Sequence, residues 1–287
     1  MKTLTPVPLA AGLYLVSTPI GNLRDITLRA LEVLGQVDAI ACEDTRMTGK
    51  LLDAHGIKAP KLIIYNDHSA DQARKGVLDM LAQGKRVALV SDAGTPLISD
   101  PGYKLVRDAQ DLGLTVTSLP GANALLTALQ LSAQPTDKFS FLGFLPPKEK
   151  ARQDVLKEWR AVPGTLVTYE TGPRLLACLQ DMAKILGGDR PAAVTRELTK
   201  MFEEVKRDTL GQLVAYYEQV HEPKGEIVIV VGPGVQKEAT EDDIKTRLKE
   251  LLADLSVRDA AGQVADETGI SRKQAYEFAI MLQKERE

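Results

Sequence analysis

Short apolar runs recur along roughly the first 235 residues, each ended by a cluster of small and polar residues. Gly12–Ser17 (GLYLVS), Val37–Ala41, Lys61–Tyr65, Arg86–Val90 and Leu114–Leu119 are apolar or β-branched almost throughout, as strands covered on both faces are. Between them the apolar positions fall at helical spacing, with start and stop signals around them. Asp25 predicts the cap of a helix through Leu34, which Gly35 ends. Thr45 opens a helix that stops near Gly56, and Ser69 with Gln72 makes a capping-box pair for a helix to Gln83. Asp100-Pro101 predicts a further start, since Asp caps well and Pro is tolerated at the first helical position, and Gly113 the stop. Alternating strands and helices at this spacing predict a mostly parallel sheet with helices on both faces.

The pattern then changes. Ser132–Lys138 is polar and contains Pro135; Phe139–Leu145 is apolar and ends at Pro146-Pro147. KEKARQDVLKEWR follows, a weakly basic helix whose charges predict a solvated face. Thr165–Tyr169, Ala192–Glu197 and Glu226–Val231 read as strands, FEEVKRDTL as a hairpin partner and Thr209–Val220 as a helix. This second half is α/β with some antiparallel pairing. Residues 240–287 are all-helical, with starts at Thr240/Asp243, Ser256/Asp259 and Ser271/Gln274 and the outline of a helix-turn-helix. The expected division is 1–134, 135–239 and 240–287.

Composition narrows the class. The chain has 287 residues, 44% hydrophobic and 26% charged, as in a globular protein. No apolar run approaches the ~20 residues a membrane helix needs, and Pro6 and Pro8 interrupt any signal-peptide core, so a cytoplasmic protein without membrane association is expected. Cys42 and Cys178 lie far apart, which suits a reducing compartment. His55, His68 and His221 share no metal-ligand spacing, so no metal is expected. The net charge of −3 gives no general affinity for nucleic acid. The tail holds eight Lys or Arg against eleven Asp or Glu, which makes it a poor duplex binder; only its last helix, with Arg272, Lys273 and Lys284, suits RNA contact.

The candidate chemistry lies in the loops that follow the strands: TPIGNLRD, CEDTR, NDHS, SDAGTPLISD and PGAN. In an open parallel sheet, ligands sit outside the carboxyl ends of strands. TPIGN lacks G-x-G-x-x-G, GxxxxGK[ST] is absent, and no G-x-S-x-G elbow occurs. These absences weaken dinucleotide, triphosphate and hydrolase readings. Loops rich in carboxylates, Thr, Asn and Gly suit a ligand with ribose hydroxyls, an amino-acid end and an adenine, without phosphate.

TPIGNLRDITLRAL, CEDTR, SDAGTPLISDPG, RELTKMFEE and KGEIVIVVG together resemble the motifs of the tetrapyrrole-methylase superfamily, and within it those of its ribosomal RNA branch, over nearly all of Gly12–Gly232. The resemblance implies two α/β/α domains with a cleft between them, S-adenosylmethionine in that cleft, a homodimer, and 2′-O-ribose methylation of a cytidine in the decoding region of 16S rRNA in the assembled small subunit. Where the wider superfamily carries Gly-Asp-Pro this chain has Ser91-Asp92-Ala93, and its first loop is poorer in glycine; both argue against a tetrapyrrole substrate. Carried over by position, the methyl donor meets Pro19, Asp92, Ala93, Gly94, Ile98, Ser99, Asn123, Ala124, Tyr169 and Leu198. Asp44 is the leading base for the 2′-hydroxyl, His68 the alternative, and Arg24 a holder of RNA phosphate. Each also has an ordinary surface reading, for Asp44 as part of a charge group with Glu43 and Arg46. A tetrapyrrole C-methyltransferase, a nucleic-acid regulator built on the tail and a nicotinamide enzyme stay open as alternatives.

Overall fold

A computed structural model describes residues 7–66, 70–220, 223–234, 241–253, 255–268 and 270–284. The five predicted strands of the first half form one parallel sheet: β1 (Gly12–Val16), β2 (Ala39–Cys42), β3 (Lys61–Ile64), β4 (Arg86–Leu89) and β5 (Val116–Leu119), in the order β3-β2-β4-β1-β5. Period-two alternation sends neighbouring side chains to opposite cores. Tyr14 and Val16 pack with α1 (Leu28–Leu34) and α2 (Thr45–Ala54), while Leu13 packs with α3 (Ala70–Ala82) and α4 (Tyr103–Asp111). All five strands run the same way, so their carboxyl ends and the loops that follow lie along one edge.

Two helix starts differ from expectation. Thr27, not Asp25, caps α1: its hydroxyl accepts the Ala30 N–H at 3.1 Å, while the Asp25 N–H donates to the Asn22 carbonyl in a turn. Asp100 and Pro101 stay in the loop, and α4 begins after Gly102. Gly102 has φ +135°, and a Cβ there would meet Leu89 Cδ2 at 2.8 Å, so the chain can pass so close to β4 only as glycine. The Ser69/Gln72 and Thr240/Asp243 starts rest on Ser69 and Thr240, which lie outside the described residues.

The second half is a mixed sheet of β6 (Phe139–Phe144), β7 (Thr165–Thr171), β8 (Pro191–Arg196), β9 (Glu204–Thr209) and β10 (Glu226–Val231), in the order β6-β7-β10-β8-β9. Only β6 and β7 pair in parallel, and β9 is the expected hairpin partner of β8. One face packs against α6 (Glu149–Trp159), α7 (Gly172–Leu186) and α8 (Leu210–Tyr217). The other, through Val167, Ala193, Val228 and Val230, packs on α5 (Ala124–Leu131), Ile20 and Leu198. The second sheet is thus joined to the first half through α5 and the loop after β1, and Met1–Gly234 forms one compact unit. The solvated face expected for α6 is only partly so. Arg152 is buried, and its Nε donates to Asp181 Oδ2 at 2.6 Å from inside the α6–α7 contact.

Val235–Glu287 is a separate unit of three helices, α9 (Glu241–Leu251), α10 (Val257–Thr268) and α11 (Arg272–Lys284). Ile244, Leu248, Val264, Ala275, Ala279 and Leu282 build its core. The expected caps form: Ser256 Oγ accepts the Asp259 N–H at 3.2 Å, and Ser271 Oγ accepts the Gln274 N–H at 3.2 Å. No helix among the described residues is long and apolar enough to cross a membrane.

Candidate active site

The loop from Ser91 to Gly102, after β4, is fixed by its own small residues. Thr18 and Gly94 exchange backbone hydrogen bonds of 2.9 and 3.0 Å, which ties this loop to the one after β1. Thr18 Oγ1 donates to the Ser91 carbonyl, and Thr95 Oγ1 to the Ala122 carbonyl. Gly94 has φ +84° and a Cβ there would sit 3.3 Å from Ile20, so the close pairing with Thr18 requires glycine. Leu97 and Ser99 hold left-handed backbone at φ 73° and 69°. Such strain in non-glycine residues costs roughly 1–2 kcal/mol each and gathers where geometry serves a ligand.

Between this loop and the second sheet lies a cavity of about 280 Å³, near the lower end of the usual ligand-pocket range of roughly 300–1,000 Å³. One end is apolar, with Ile20, Ile98, Val228, Phe144 and Tyr169. Tyr169 meets Phe141 and Phe144 edge-on at 4.8 and 5.6 Å. The polar lining carries Glu43, Asp92, Asp100, Glu170 and Glu226 and, among the described residues, no Lys, Arg or His. Burial pushes the Asp100 carboxyl up to about 6; the Ser91 side chain opposes this and the Asp92 charge adds to it. Burial likewise raises Asp92, against the Asp44 N–H that donates to its Oδ1 at 3.0 Å. A second cavity of about 400 Å³ adjoins the first and shares Ile20, Asp92, Ala93 and Glu226 with it.

Of the residues expected to meet the methyl donor, Asp92, Ala93, Gly94, Ile98, Ser99, Ala124 and Tyr169 line the first cavity together. Pro19 lines the second. Asn123 caps α5, its Oδ1 accepting the Leu126 N–H at 3.0 Å, and Leu198 is core beside Ile20 and Leu125. Ile20, Thr95, Phe144, Glu226 and Val228 also line the first cavity and were not singled out by the sequence; Asp100, read as a helix start, and Glu43, read as part of a charge group, line it as well. Among the expected catalytic residues, Asp44 lines neither cavity. It caps α2, and the Arg46 side chain, 2.6 Å from Oδ2, with the Arg46 N–H holds its carboxyl down at about 2. That makes its carboxylate a poor proton acceptor, while its backbone N–H anchors Asp92. The Arg24 side chain is exposed and lines neither cavity, and His68 lies outside the described residues. No group of three or more His, Cys, Asp or Glu among the described residues is placed to hold a metal.

A parallel and a mixed sheet joined through α5, with an acidic cleft at the strand ends, are the setting in which the comparisons place the chain among methylases of the tetrapyrrole type. Residues 12–214 match the family model for tetrapyrrole (corrin/porphyrin) methylases, and the chain belongs to that family. Residues 238–283 match the RsmI C-terminal HTH domain. The chain is 51% identical over 275 residues to a ribosomal RNA small subunit methyltransferase I of Erythrobacter litoralis, covering 96% of each chain. It is 46% identical to that of Mesorhizobium japonicum, over 96% of this chain and 93% of that one. It is 45% identical to that of Escherichia coli O157:H7, over 94% of this chain and 95% of that one. Its fold is shared with a uroporphyrin-III C-methyltransferase from Thermus thermophilus complexed with S-adenosyl homocysteine. There the TM-score is 0.53 at 20% identity, covering 78% of this chain and 99% of the other. Diphthine synthase gives a TM-score of 0.59 at 15% identity, covering 77% and 89%.

The chain is an S-adenosylmethionine-dependent methyltransferase. The first cavity fits that donor in charge: of its five carboxylates Glu170 is paired with Arg174 and Glu226 with Lys200, and the excess of negative charge that Asp92 and Asp100 add favours a ligand carrying a sulfonium and an ammonium over a pyrophosphate. Gly94 leaves the backbone approachable, and the Tyr169 end offers apolar surface for an adenine. A pH dependence follows. Asp100 in the free protein favours its neutral form, so its stabilising contribution is present below the unfolded value near 3.8 and lost as pH rises through about 6. A cationic ligand binds the ionised form better. Affinity for S-adenosylmethionine is therefore expected to tighten roughly tenfold from pH 5 to pH 7, and Asp100→Asn should flatten that rise. Calorimetric titration across this range checks it; a wild-type profile independent of pH would remove Asp100 from the methyl-donor site.

Proposed function

We propose that the chain methylates the 2′-hydroxyl of a cytidine in the decoding region of 16S rRNA, with the RNA presented in the assembled small subunit. Methylation of small-subunit ribosomal RNA follows from its relatives, at 45–51% identity over nearly the whole chain. The observation that carries the finer reading is the junction of two cavities at Asp92, one acidic and suited to the methyl donor, the other beside it with a more apolar lining. When bound, S-adenosylmethionine supplies a methyl group already activated on a sulfonium. The chain's own tasks are to align the acceptor oxygen opposite the departing sulfur and to take the proton that oxygen loses as it forms its bond to carbon.

Asp92 is placed for the second task. Asp92 lines both cavities, its Oδ1 is fixed by the Asp44 N–H, and burial raises its affinity for a proton. Asp44 positions Asp92, and Arg24 offers a charge for RNA phosphate; His68 is the alternative base. Asp92, Ala93, Gly94, Ile98, Ser99, Ala124 and Tyr169 form the inner methyl-donor set, with Pro19, Asn123 and Leu198 supporting it. Residues 1–134 carry the substrate side, 135–239 complete the methyl-donor site and mediate a homodimer, and 240–287 contribute α11 to contact with the particle. The setting is the cytoplasm.

A chain of net charge −3 gains little from phosphate attraction alone, so naked RNA should be a poor substrate. Small subunits lacking the modification are expected to accept labelled methyl from S-adenosylmethionine and to yield 2′-O-methylcytidine on digestion. A short oligonucleotide of the same sequence should react far more slowly. Equal rates on both would sink the requirement for the assembled particle, and label on a base would sink the ribose assignment.

A further inference from the structure

The second cavity has walls of a different character from the first. Helix α2 turns Met47, Lys50 and Leu51 toward it, at the i, i+3, i+4 spacing that puts side chains on one helix face. The loop after β1 supplies Pro19, Gly21 and Leu23 opposite. This frame is braced on two sides. His55 Nε2 lies 3.1 Å from the Leu23 carbonyl oxygen, and Thr199 Oγ1, on the β8–β9 loop, accepts the Asn22 N–H at 3.1 Å. Lys200 on that same loop pairs with Glu197 and Glu226 at 2.9 and 3.0 Å, and so shapes the wall rather than offering a free charge.

Leu23 and Met47 are 49% and 47% exposed, two apolar side chains facing solvent across an open slot. Lys50 lines that slot and forms no ion pair among the described residues; nor does Arg24, exposed next to Leu23. A largely apolar slot with Lys50 in its lining and the exposed Arg24 next in sequence to Leu23, joined to the acidic first cavity through Asp92, matches a nucleoside with a phosphate on each side. Base faces are apolar and can pack on apolar side chains, phosphates seek Lys and Arg, and bases of single-stranded RNA can be splayed out of their stack for recognition.

We propose that this second cavity is the acceptor subsite, holding one unstacked ribonucleoside of the RNA with its base against Leu23 and Met47, its flanking phosphates at Arg24 and Lys50, and its ribose toward Asp92. The proposal rests on the reading of the chain as a ribose methyltransferase. Its test uses the full chain, with small subunits from cells lacking this protein as methyl acceptor and S-adenosylmethionine titrated separately. Met47→Asp and Leu23→Asp are expected to raise KM for small subunits ~10–100-fold, the range for a lost apolar contact in a substrate pocket, with affinity for S-adenosylmethionine unchanged. Lys50→Ala is expected to flatten the dependence of log KM on log salt by about one unit. Should a charged variant lose S-adenosylmethionine as well, Met47→Ala decides, and its KM must still rise. A wild-type protein inactive on these particles overturns the ribose-methylation reading and the subsite with it. An active wild type whose variants keep its KM overturns the subsite alone. So does a Met47→Asp variant that splits a dimer in sedimentation while KM stays unchanged, which would make the slot a contact between copies.

Discussion

Asp92→Asn is expected to slow methyl transfer to small subunits by roughly 10²–10⁴-fold at saturating S-adenosylmethionine, the usual loss when a positioned base is removed. Asparagine keeps the size of the side chain, and its amide oxygen can still accept the Asp44 N–H that fixes Asp92 at 3.0 Å. What it cannot do is take a proton. Asp44→Asn provides the contrast. Asp44 is held down at about 2 by Arg46, caps α2 and faces neither cavity. Its replacement should loosen the cap and the anchor of Asp92, with a rate loss of less than about tenfold. Single-turnover rates separate the two. An Asp44→Asn enzyme as slow as Asp92→Asn would return the proton-accepting role to Asp44, and a full-speed Asp92→Asn enzyme would remove it from Asp92.

Asp181→Ala is expected to cost about 3–5 kcal/mol of stability, because it leaves a buried guanidinium without its counter-charge. The Arg152 and Asp181 side chains are only 6% and 8% exposed. Arg152 Nη1 also donates to the Pro147 carbonyl at 3.2 Å, and Gln153 Nε2 to the other Asp181 oxygen at 2.7 Å. Removing the carboxylate leaves the buried Arg152 guanidinium without its counter-charge between α6 and α7, while Gln153 keeps its bond to Glu149 Oε1 at 2.9 Å. The melting temperature should fall by roughly 6–20 °C. Replacing the pair together, with Arg152→Met and Asp181→Leu, should recover most of that loss, since an apolar pair of similar volume is often no less stable. Denaturant melts of the single and double variants check both parts; a single variant within 1 kcal/mol of wild type would mean that the pair is effectively solvated.

The first half was legible because parallel strands covered on both faces leave continuous apolar runs, and Asn123, Ser256 and Ser271 stand where they cap. Asp25 and Asp100 misled because an acidic residue before a helix serves a turn as well as a cap. Arg152 misled because a buried ion pair has the composition of a solvated face. In the site, motifs marked the loops but not which residue of each turns inward. Ile20 lines the first cavity one position from Pro19, expected at the methyl donor, and Glu43 lines it one position from Asp44, expected as the base. Glu226 and Val228 were hidden for another reason: EIVIVV is apolar at nearly every position, so period-two alternation leaves no sign of which face meets the cleft. Phe144 reaches it past a register shift between Phe141 and Phe144 that no sequence pattern records.

Mass mapping of 16S rRNA from cells deprived of this protein, before and after it is restored, tests the ribose-methylation assignment most directly. One methyl group on the ribose of one decoding-region cytidine is expected to disappear without the protein, return with the wild-type chain, and stay absent with Asp92→Asn. An unchanged methylation pattern, or a lost methyl that maps to a base, would contradict it.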